Sequence, residues 1–194
     1  MTVASTPDET PRYEVVRGLL PPAVVGFLRT YSEVLIESGR FVRGEQVRGS
    51  LKVYGDPGFD AVLREVLPRV AASVGAELVP TYSFVRRYER GHELVPHTDR
   101  PACEHSVTVH LASSGPEPWP IWLRLGRGEP VSAELEPGDG LIYEGISTLH
   151  WRDPCPAEWY LQMFLHFVDA GGAHRDEVYD HRPALGTPST SSDT

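Results

Sequence analysis

The stretch that decides the fold is LVPHTDRPACEHSVTVHL (residues 94–111), which contains the tripeptide His97-Thr98-Asp99. On an extended strand, residues i and i+2 point to the same side, so His97 and Asp99 can hold one metal ion together. A third ligand must then come from a distant strand that the fold brings alongside. The candidate is His150, which follows Asp99 after 50 intervening residues in LIYEGISTLHWRD (residues 141–153). We predict that these three residues occupy one face of a metal ion and leave the opposite face open.

The surroundings of the tripeptide support this prediction. His-x-Asp alone is a weak signal, because a chain of 194 residues with 8 histidines can contain one by chance. Strand-like runs lie on both sides of it, however, and a Pro-Gly-Asp turn leads into the strand before His150. These segments are TYSFVRRYERG (81–91), HSVTVHLA (105–112), PGDGLIYEG (137–145) and WYLQMFLHFVD (159–169). The last is a long apolar and aromatic run, which is typical of a buried closing strand.

The donor set leaves more than one metal open. Two neutral imidazoles and one ionised carboxylate are the ligand set of non-haem Fe(II) oxygenases, but other divalent ions bind such a set too. A zinc hydrolase is therefore an alternative, although such sites often use two closely spaced histidines on a helix, and the sequence has no such pair. Cys103 lies close enough in sequence to be a ligand or a nucleophile. A small packing residue is the preferred interpretation of it.

The chain opens with two predicted helices and continues with strands. Residues 21–38 begin with two prolines and carry apolar side chains at helical spacing. A second helix follows Asp56-Pro57, and Pro68 within its apolar stripe predicts a kink or break. From residue 78 onward, short strands alternate with turns at 78–90, 105–113, 120–125, 131–136, 139–144, 149–152 and 159–168. This order predicts a mainly β fold with supporting helices (α+β), a small sandwich or barrel braced by the N-terminal helices.

The length suits one domain. We expect it to cover residues 13–182, with helical support in 13–77 and the β core in 78–170. Residues 1–12 are polar and Pro-rich, and we predict a flexible arm there. Residues 183–194, PALGTPSTSSDT, are predicted to be a disordered tail because of their composition.

Composition excludes several partners. With 18 basic and 27 acidic residues the formal net charge is −9, which disfavours nucleic acid and anionic membrane surfaces as partners. No apolar run approaches the length of a membrane span, and the amino terminus lacks the pattern of a secretory signal. Two cysteines are too few for a disulfide framework, so we expect a reduced, cytoplasmic protein. Nothing in the sequence selects an oligomeric state.

An ordered set of motifs resembles the Fe(II)/2-oxoglutarate-dependent dioxygenases, and within them the prolyl-hydroxylase-like branch. The resemblance covers roughly residues 80–170. The matching pieces are Tyr88-x-x-Gly91, His97-x-Asp99-Arg100, SVTVHL (106–111), Pro137-Gly138-Asp139, Tyr143, Gly145 and His150. It implies a double-stranded β-helix (jelly roll) fold.

The same resemblance implies the chemistry. The metal would be Fe(II), and the co-substrates 2-oxoglutarate and O2 would yield succinate and CO2 while a C–H bond is hydroxylated. Related halogenases leave the carboxylate position vacant for halide, so Asp99 speaks against halogenation. The substrate is expected to be a small metabolite, an amino acid or a peptide side chain. Two rivals stay open: a cupin-like non-oxidative metal enzyme, such as an isomerase or hydrolase, and a catalytically silent sensor that binds metal or 2-oxoglutarate.

One departure from the family pattern concerns the far carboxylate of 2-oxoglutarate. Relatives commonly bind it with a cation about ten residues after the second histidine, where this chain has Trp159 and Tyr160. The nearest replacement is Arg152, which strand parity should place beside His150 inside the barrel, where a guanidinium can grip a carboxylate at two points. The alternative is that Arg152 forms an ion pair at the barrel rim with Asp153, Glu144 or Glu158.

Further residues are predicted to line the site. Tyr88 matches a strand tyrosine of the family, His110 stands where relatives carry a residue that touches the co-substrate, and Gln162 is a polar residue within an apolar strand. The alternative for His110 is a structural role as a hydrogen-bonded core histidine. On the substrate side, Arg86 and Arg100 could receive a carboxylate, and Trp122 could form an apolar wall. Surface ion pairs and core packing are the alternatives for these three.

Overall fold

The computed structural model describes residues 13–188, so the predicted arm at 1–12 lies outside the described residues. Its helices are α1 (Pro22–Glu37) and α2 (Pro57–Val74), and short 3-10 helices cover Pro101–Cys103 and Arg175–His181. The strands are β1 (Tyr13–Val16), β2 (Val42–Arg43), β3 (Leu51–Tyr54), β4 (Leu78–Glu89), β5 (Leu94–His97), β6 (His105–Ser113), β7 (Ile121–Arg124), β8 (Val131–Ala133), β9 (Gly140–Glu144), β10 (Leu149–Arg152) and β11 (Trp159–Asp169).

The strands form two antiparallel sheets. The larger has the order β1-β9-β6-β11-β4-β3-β2, and the smaller has the order β5-β10-β7-β8. From β4 onward the chain passes back and forth between the sheets, with β4, β6, β9 and β11 in the large sheet and β5, β7, β8 and β10 in the small one, as in a jelly roll. The predicted mainly β fold with bracing helices is confirmed.

Side-chain alternation gives the two faces of the large sheet different chemistry. On β11, the alternate residues Leu161, Met163, Leu165 and Phe167 belong to the same apolar core as the buried side chains of α1 and α2. The intervening residues of β11, which are Tyr160, Gln162, Phe164 and His166, lie on the opposite face. Strand β6 repeats the pattern, with Val107, Val109 and Leu111 in the helical core. The interior between the sheets is therefore unusually polar.

Local signals set the helix boundaries. Asp56 caps α2 by accepting a hydrogen bond from the Gly58 backbone N–H at 2.9 Å, and Gly75 ends the helix in the left-handed conformation. The predicted break at Pro68 does not occur, since α2 runs continuously to Val74. Pro68 is exposed, so solvent can satisfy the carbonyl that the missing N–H leaves without a partner. Within residues 13–188 no helix is long and apolar enough to cross a membrane.

The C-terminal boundary of the fold differs from the prediction. Leu185 packs against the main core, and the Gly186 backbone N–H donates to Asp60 Oδ2 at 2.7 Å. Arg182 forms a fully buried ion pair with the same carboxylate at 2.9 Å. A disordered tail beginning at residue 183 is therefore wrong for residues 183–188, while residues 189–194 lie outside the described part of the chain.

Asp139 ties the first strand to the turn before β9. Its carboxylate accepts hydrogen bonds from the backbone N–H groups of Gly18 (2.8 Å) and Glu136 (3.0 Å) and from Arg17 Nη1 (2.6 Å). Burial acts to raise the pKa of Asp139, but the Gly18 N–H and the Arg17 guanidinium outweigh it and hold the pKa below its usual value. The ionised carboxylate therefore stabilises the folded state.

We predict that Asp139→Asn lowers the free energy of unfolding by about 1–3 kcal/mol, the range for charge-assisted hydrogen bonds. The pKa of Asp139 is lower in the folded state than in the unfolded state. The stabilisation is therefore fully present above the unfolded-state pKa of about 4, and it is lost as the pH falls through the folded-state pKa. Urea denaturation at pH 7 and pH 3 measures both effects. Glu65→Gln, which removes an exposed carboxylate on α2, is the control; an equal loss in both variants would contradict the prediction.

Candidate active site

The three predicted metal ligands converge at one end of the barrel. His97 and His150 are direct partners in the antiparallel pairing of β5 with β10, and their ring centroids lie 4.2 Å apart. Asp99 Oδ1 lies 3.6 Å from the Nε2 atom of each histidine. The ligand atoms of all three residues fall within 4.8 Å of one another, a spacing that a single ion can bridge.

Each histidine is oriented by its own strand. His97 Nδ1 lies 2.9 Å from the Val95 carbonyl, and His150 Nδ1 lies 2.9 Å from the Thr148 carbonyl. A carbonyl can only accept, so each Nδ1 carries a proton, and when the imidazole is neutral the Nε2 atom beside Asp99 is free to bind a metal. Backbone support of this kind fixes the tautomer that a metal requires.

Asp99 is held by its second oxygen and its backbone. Ser106 Oγ donates to Asp99 Oδ2 at 3.0 Å, and the Asp99 N–H donates to the Gly145 carbonyl at 2.9 Å. A Cβ added at Gly145 would lie 2.6 Å from Asp99 Oδ2, so only glycine allows this approach. The Gly145 of the sequence motif therefore has a steric role beside the ligand.

The protonation states suit a divalent cation. Burial lowers the pKa of His150, which keeps this imidazole neutral. Burial acts to raise the pKa of Asp99, but the hydrogen bond with His97 and the neighbouring imidazoles outweigh it, and the net shift is downward. For His97, burial acts to lower the pKa, yet the hydrogen bond with Asp99 gives a net rise, so a proton competes with a metal there.

The surroundings of Cys103 favour the packing role that is preferred from the sequence. The residue is buried with its Sγ 3.0 Å from the Tyr82 hydroxyl, and burial raises the pKa of its thiol to about 12. A neutral thiol is a poor metal ligand and a poor nucleophile. Its neighbour His166 is also buried, with Nδ1 2.9 Å from Ser106 Oγ and a pKa that burial lowers to about 4.

Beyond the metal ligands, the barrel interior contains buried polar atoms without partners among residues 13–188. They are Arg152 Nε and Nη2, His110 Nε2, Gln162 Oε1, Thr148 Oγ1 and Arg86 Nε. Buried polar groups normally find hydrogen bonds, so these atoms are candidate contacts for water or a polar ligand.

Arg152 faces the interior on the same side of β10 as His150. Only 2% of it is exposed, and Nη1 donates to the Trp119 carbonyl. Its guanidinium carbon lies 4.7 Å from the ring centroid of Trp119 and 5.5 Å from that of Tyr160. The alternative rim ion pair is absent among the described residues, because Glu158 binds Arg90, Asp153 accepts from Trp122, and Glu144 accepts from Ser147.

The other predicted interior residues surround the same space. His110 stacks on Tyr160 with ring centroids 4.2 Å apart, its Nδ1 lies 2.9 Å from the Leu135 carbonyl, and burial lowers its pKa to about 4. Gln162 is opposite His110 in the β11–β6 pairing and donates to Thr108 Oγ1 at 2.5 Å. Tyr88 is fully buried, with its ring 4.8 Å from that of Trp119.

The substrate-side predictions have mixed outcomes. A cavity of ≈ 720 Å³ opens beside the three ligands, and both Arg86 and Arg100 line it. Arg100, however, donates from both Nη atoms to Asp180 at 2.6 and 2.7 Å, so its charge is neutralised. The prediction that Trp122 lines the pocket is wrong. Its indole stacks on Trp151 on the outer face of the small sheet, because His150 and Leu123 take the inward positions.

One wall of the cavity was not predicted. The C-terminal strap (residues 175–182) lines it with Asp180, His181 and Arg182. Three consecutive non-glycine residues of the strap, Tyr179 to His181, have left-handed backbone angles. Asp180 accepts from Arg100 and from the Tyr54 hydroxyl, and these contacts hold the strained backbone in place.

The fold is similar to several solved structures. A Pseudomonas putida prolyl-4-hydroxylase matches with a TM-score of 0.66 and 16% identity, over 82% of this chain and 93% of that one. The epimerase SnoN of nogalamycin biosynthesis, in complex with Fe3+, alpha ketoglutarate and nogalamycin RO, matches with a TM-score of 0.70 and 16% identity, over 94% of this chain and 93% of that one. HygX from Streptomyces hygroscopicus, with nickel, 2-oxoglutarate and hygromycin B bound, matches with a TM-score of 0.66 and 14% identity, over 84% of each chain. The chain thus has the fold of the iron- and 2-oxoglutarate-dependent oxygenases, as its motifs indicated.

At the level of sequence alone, no protein-family model and no curated protein matches the chain.

We predict that His150→Ala greatly weakens Fe(II) binding, because it removes one of three convergent ligands. Cys103→Ser is the matched control, since a buried neutral thiol contributes no ligand and its replacement should leave metal content intact. Anaerobic equilibrium dialysis measures both affinities. Parental iron affinity in His150→Ala, or loss of iron in Cys103→Ser, would contradict this assignment.

Proposed function

We propose that the protein is a non-haem Fe(II)/2-oxoglutarate-dependent oxygenase that hydroxylates a C–H bond of a small metabolite, an amino acid or a peptide side chain. One observation carries the proposal: three convergent metal ligands lie at the mouth of a barrel whose interior holds a buried guanidinium with unpaired donors. The metal ligands can serve many reactions, but a buried guanidinium with unpaired donors favours an anionic ligand inside the barrel.

The donor set supports Fe(II). His97, Asp99 and His150 offer two imidazole nitrogens and one carboxylate oxygen on one side of the site, and the other side faces the cavity. Such a facial set leaves positions open for a chelating co-substrate and O2. When bound, the iron and 2-oxoglutarate would together supply the oxidising chemistry, with succinate and CO2 as products.

The interior supports 2-oxoglutarate as the second ligand. A dicarboxylate needs a cation for the carboxylate that does not reach the metal, since burying an unpaired charge is costly. Arg152 offers Nε and Nη2 on one edge of its guanidinium, the geometry that binds a carboxylate at two points. The buried Thr148 hydroxyl also lacks a partner and can donate to a polar ligand, whereas His110 Nε2 and Gln162 Oε1 are acceptors that a water or another donor would satisfy. The residues present therefore fit the group.

The protein's own part in the reaction is positioning. The backbone carbonyls at Val95 and Thr148 fix the imidazoles, and Ser106 fixes Asp99, so the ligands are arranged before metal arrives. Aromatic rings of Trp119 and Tyr160 pack on Arg152 and keep its surroundings dry, which strengthens a charge-assisted contact.

Two other functions are distinguished by turnover. The structurally similar proteins include an epimerase as well as hydroxylases. Hydroxylation of the prime substrate is therefore a more specific proposal than membership of the oxygenase class. A cupin-like isomerase or hydrolase would not consume 2-oxoglutarate, and a silent sensor would bind it without turnover. Fe(II)- and O2-dependent formation of succinate, even slow and without prime substrate, supports the proposal. Binding with no succinate formed under any substrate condition would favour the sensor.

We predict that Arg152→Gln weakens 2-oxoglutarate binding about tenfold to a hundredfold, corresponding to about 1.5–3 kcal/mol for a charge-assisted contact. Fe(II) affinity should stay close to parental, because Arg152 is not a metal ligand. Arg152→Lys should recover only part of the loss, since an ammonium keeps the charge without the planar fork. The measurement is an anaerobic titration of the visible metal-to-ligand charge-transfer band with 2-oxoglutarate.

Arg127→Gln, which removes an exposed positive charge in the turn between β7 and β8, is the control for net charge. It should titrate like the parent. If Arg152→Gln also titrates like the parent, another residue holds the far carboxylate and this part of the proposal fails.

A further inference from the structure

Two positive side chains face the cavity from adjacent positions on neighbouring strands. Lys52 on β3 is directly opposite Arg86 on β4, and both line the cavity that contains the three metal ligands. Like charges placed directly opposite each other across a strand pair are destabilising. The fold therefore carries an unfavourable pair at the substrate side of the site.

Arg86 is buried without an acidic partner. It is 4% exposed, its Nη2 donates to the Gln46 side-chain oxygen at 3.0 Å, and its Nη1 lies 3.5 Å from the Tyr88 hydroxyl. Its guanidinium carbon lies 4.9 Å from the ring centroid of Phe84, and Nε has no hydrogen-bond partner. A fully charged group in such surroundings normally has a carboxylate beside it.

The other arginines at the cavity differ in this respect. Arg100 is neutralised by Asp180, and Arg182 by Asp60. Within residues 13–188 neither Lys52 nor Arg86 forms a salt bridge, although Glu45 also lines the cavity. The positive charge without an acidic partner at this cavity thus lies on the wall formed by Lys52 and Arg86. This wall is positive although the protein as a whole has a formal charge of −9.

The proposed co-substrate does not account for this wall. Arg152 is the interior guanidinium assigned to 2-oxoglutarate, and it is absent from the cavity lining. Arg86 and Lys52 lie on the opposite sheet, at the cavity through which a second substrate must reach the metal.

We infer that Arg86 and Lys52 form the recognition site for a carboxylate of the prime substrate, a specificity assignment that rests on the proposed function. The unpaired Nε of Arg86 can donate to one oxygen of a carboxylate, and the Lys52 ammonium can neutralise the other. The cavity volume of ≈ 720 Å³ lies within the range of small-molecule sites, so the substrate is a carboxylic acid of metabolite size.

The test compares carboxylic acids with their neutral amides on the full chain. The probes are benzoate and benzamide, phenylacetate and phenylacetamide, and N-acetylalanine and its amide. Binding is measured by calorimetry to the anaerobic Fe(II) complex saturated with 2-oxoglutarate, and again to the protein without metal. Saturation with 2-oxoglutarate keeps the acids out of the interior site.

The parent should bind at least one acid more tightly than its amide. Arg86→Gln should weaken that acid about tenfold to a hundredfold without changing the amide, and Arg86→Lys should recover part of the loss. Lys52→Gln should weaken it by a smaller factor, because Lys52 is only half-buried, and should slightly raise the melting temperature by removing the like-charge pair. Arg124→Gln, at an exposed position on β7, is the control and should behave like the parent.

Several outcomes would overturn the inference. Equal binding of every acid and its amide, or parental acid binding in Arg86→Gln, excludes a carboxylate site at this wall. A loss of 2-oxoglutarate affinity in Arg86→Gln as large as that in Arg152→Gln would make Arg86 a co-substrate ligand instead. Failure of the proposed function is separate, since the parent would then give no charge-transfer band with 2-oxoglutarate. Acid binding to the metal-free protein, compared between Arg86→Gln and Arg152→Gln, would still show whether Arg86 binds the acid.

Discussion

The alternation of side chains along β6 and β11 is the constraint on which the rest of the structure depends. One face of these strands must be apolar to bury α1 and α2, and the other is then free to carry polar groups into the space between the sheets. A shift of one residue in register would turn His110 and Gln162 into the helical core and Leu111 and Met163 into the barrel. The same alternation thus stabilises the fold and supplies the polar interior of the site.

The buried polar groups of the barrel interior lower the stability of the protein when no ligand is bound. Arg152, His110 and Gln162 each bury an atom with no partner among the described residues, and Arg86 buries a charge with no acid beside it. Natural proteins keep few such groups, because each unsatisfied buried group costs about 1–3 kcal/mol. Anionic ligands that accept hydrogen bonds from the unpaired donors of Arg152 and Arg86 would therefore stabilise the folded state.

Much of the site could be predicted because it depends on local sequence. His97, Asp99 and His150 follow from spacing and strand parity, and the inward position of Arg152 follows from the parity of His150. Trp122 could not be placed in the same way, since on a four-residue strand the inward face is set by the partner strand β10. Strand β5 was missed because Pro96 weakens its strand signal, which an edge position in the small sheet tolerates. The strap and the Arg100–Asp180 pair depend on contacts between residues 80 positions apart, which no local pattern encodes.

The most direct measurement is a crystal structure of the full chain grown anaerobically with Fe(II) and 2-oxoglutarate. We predict iron bound by His97, Asp99 and His150, and 2-oxoglutarate with its far carboxylate on the unpaired edge of Arg152, while Arg86 and Lys52 remain free to face the cavity. Iron bound elsewhere, or a 2-oxoglutarate carboxylate held by Arg86 with Arg152 still unpaired, would contradict this prediction.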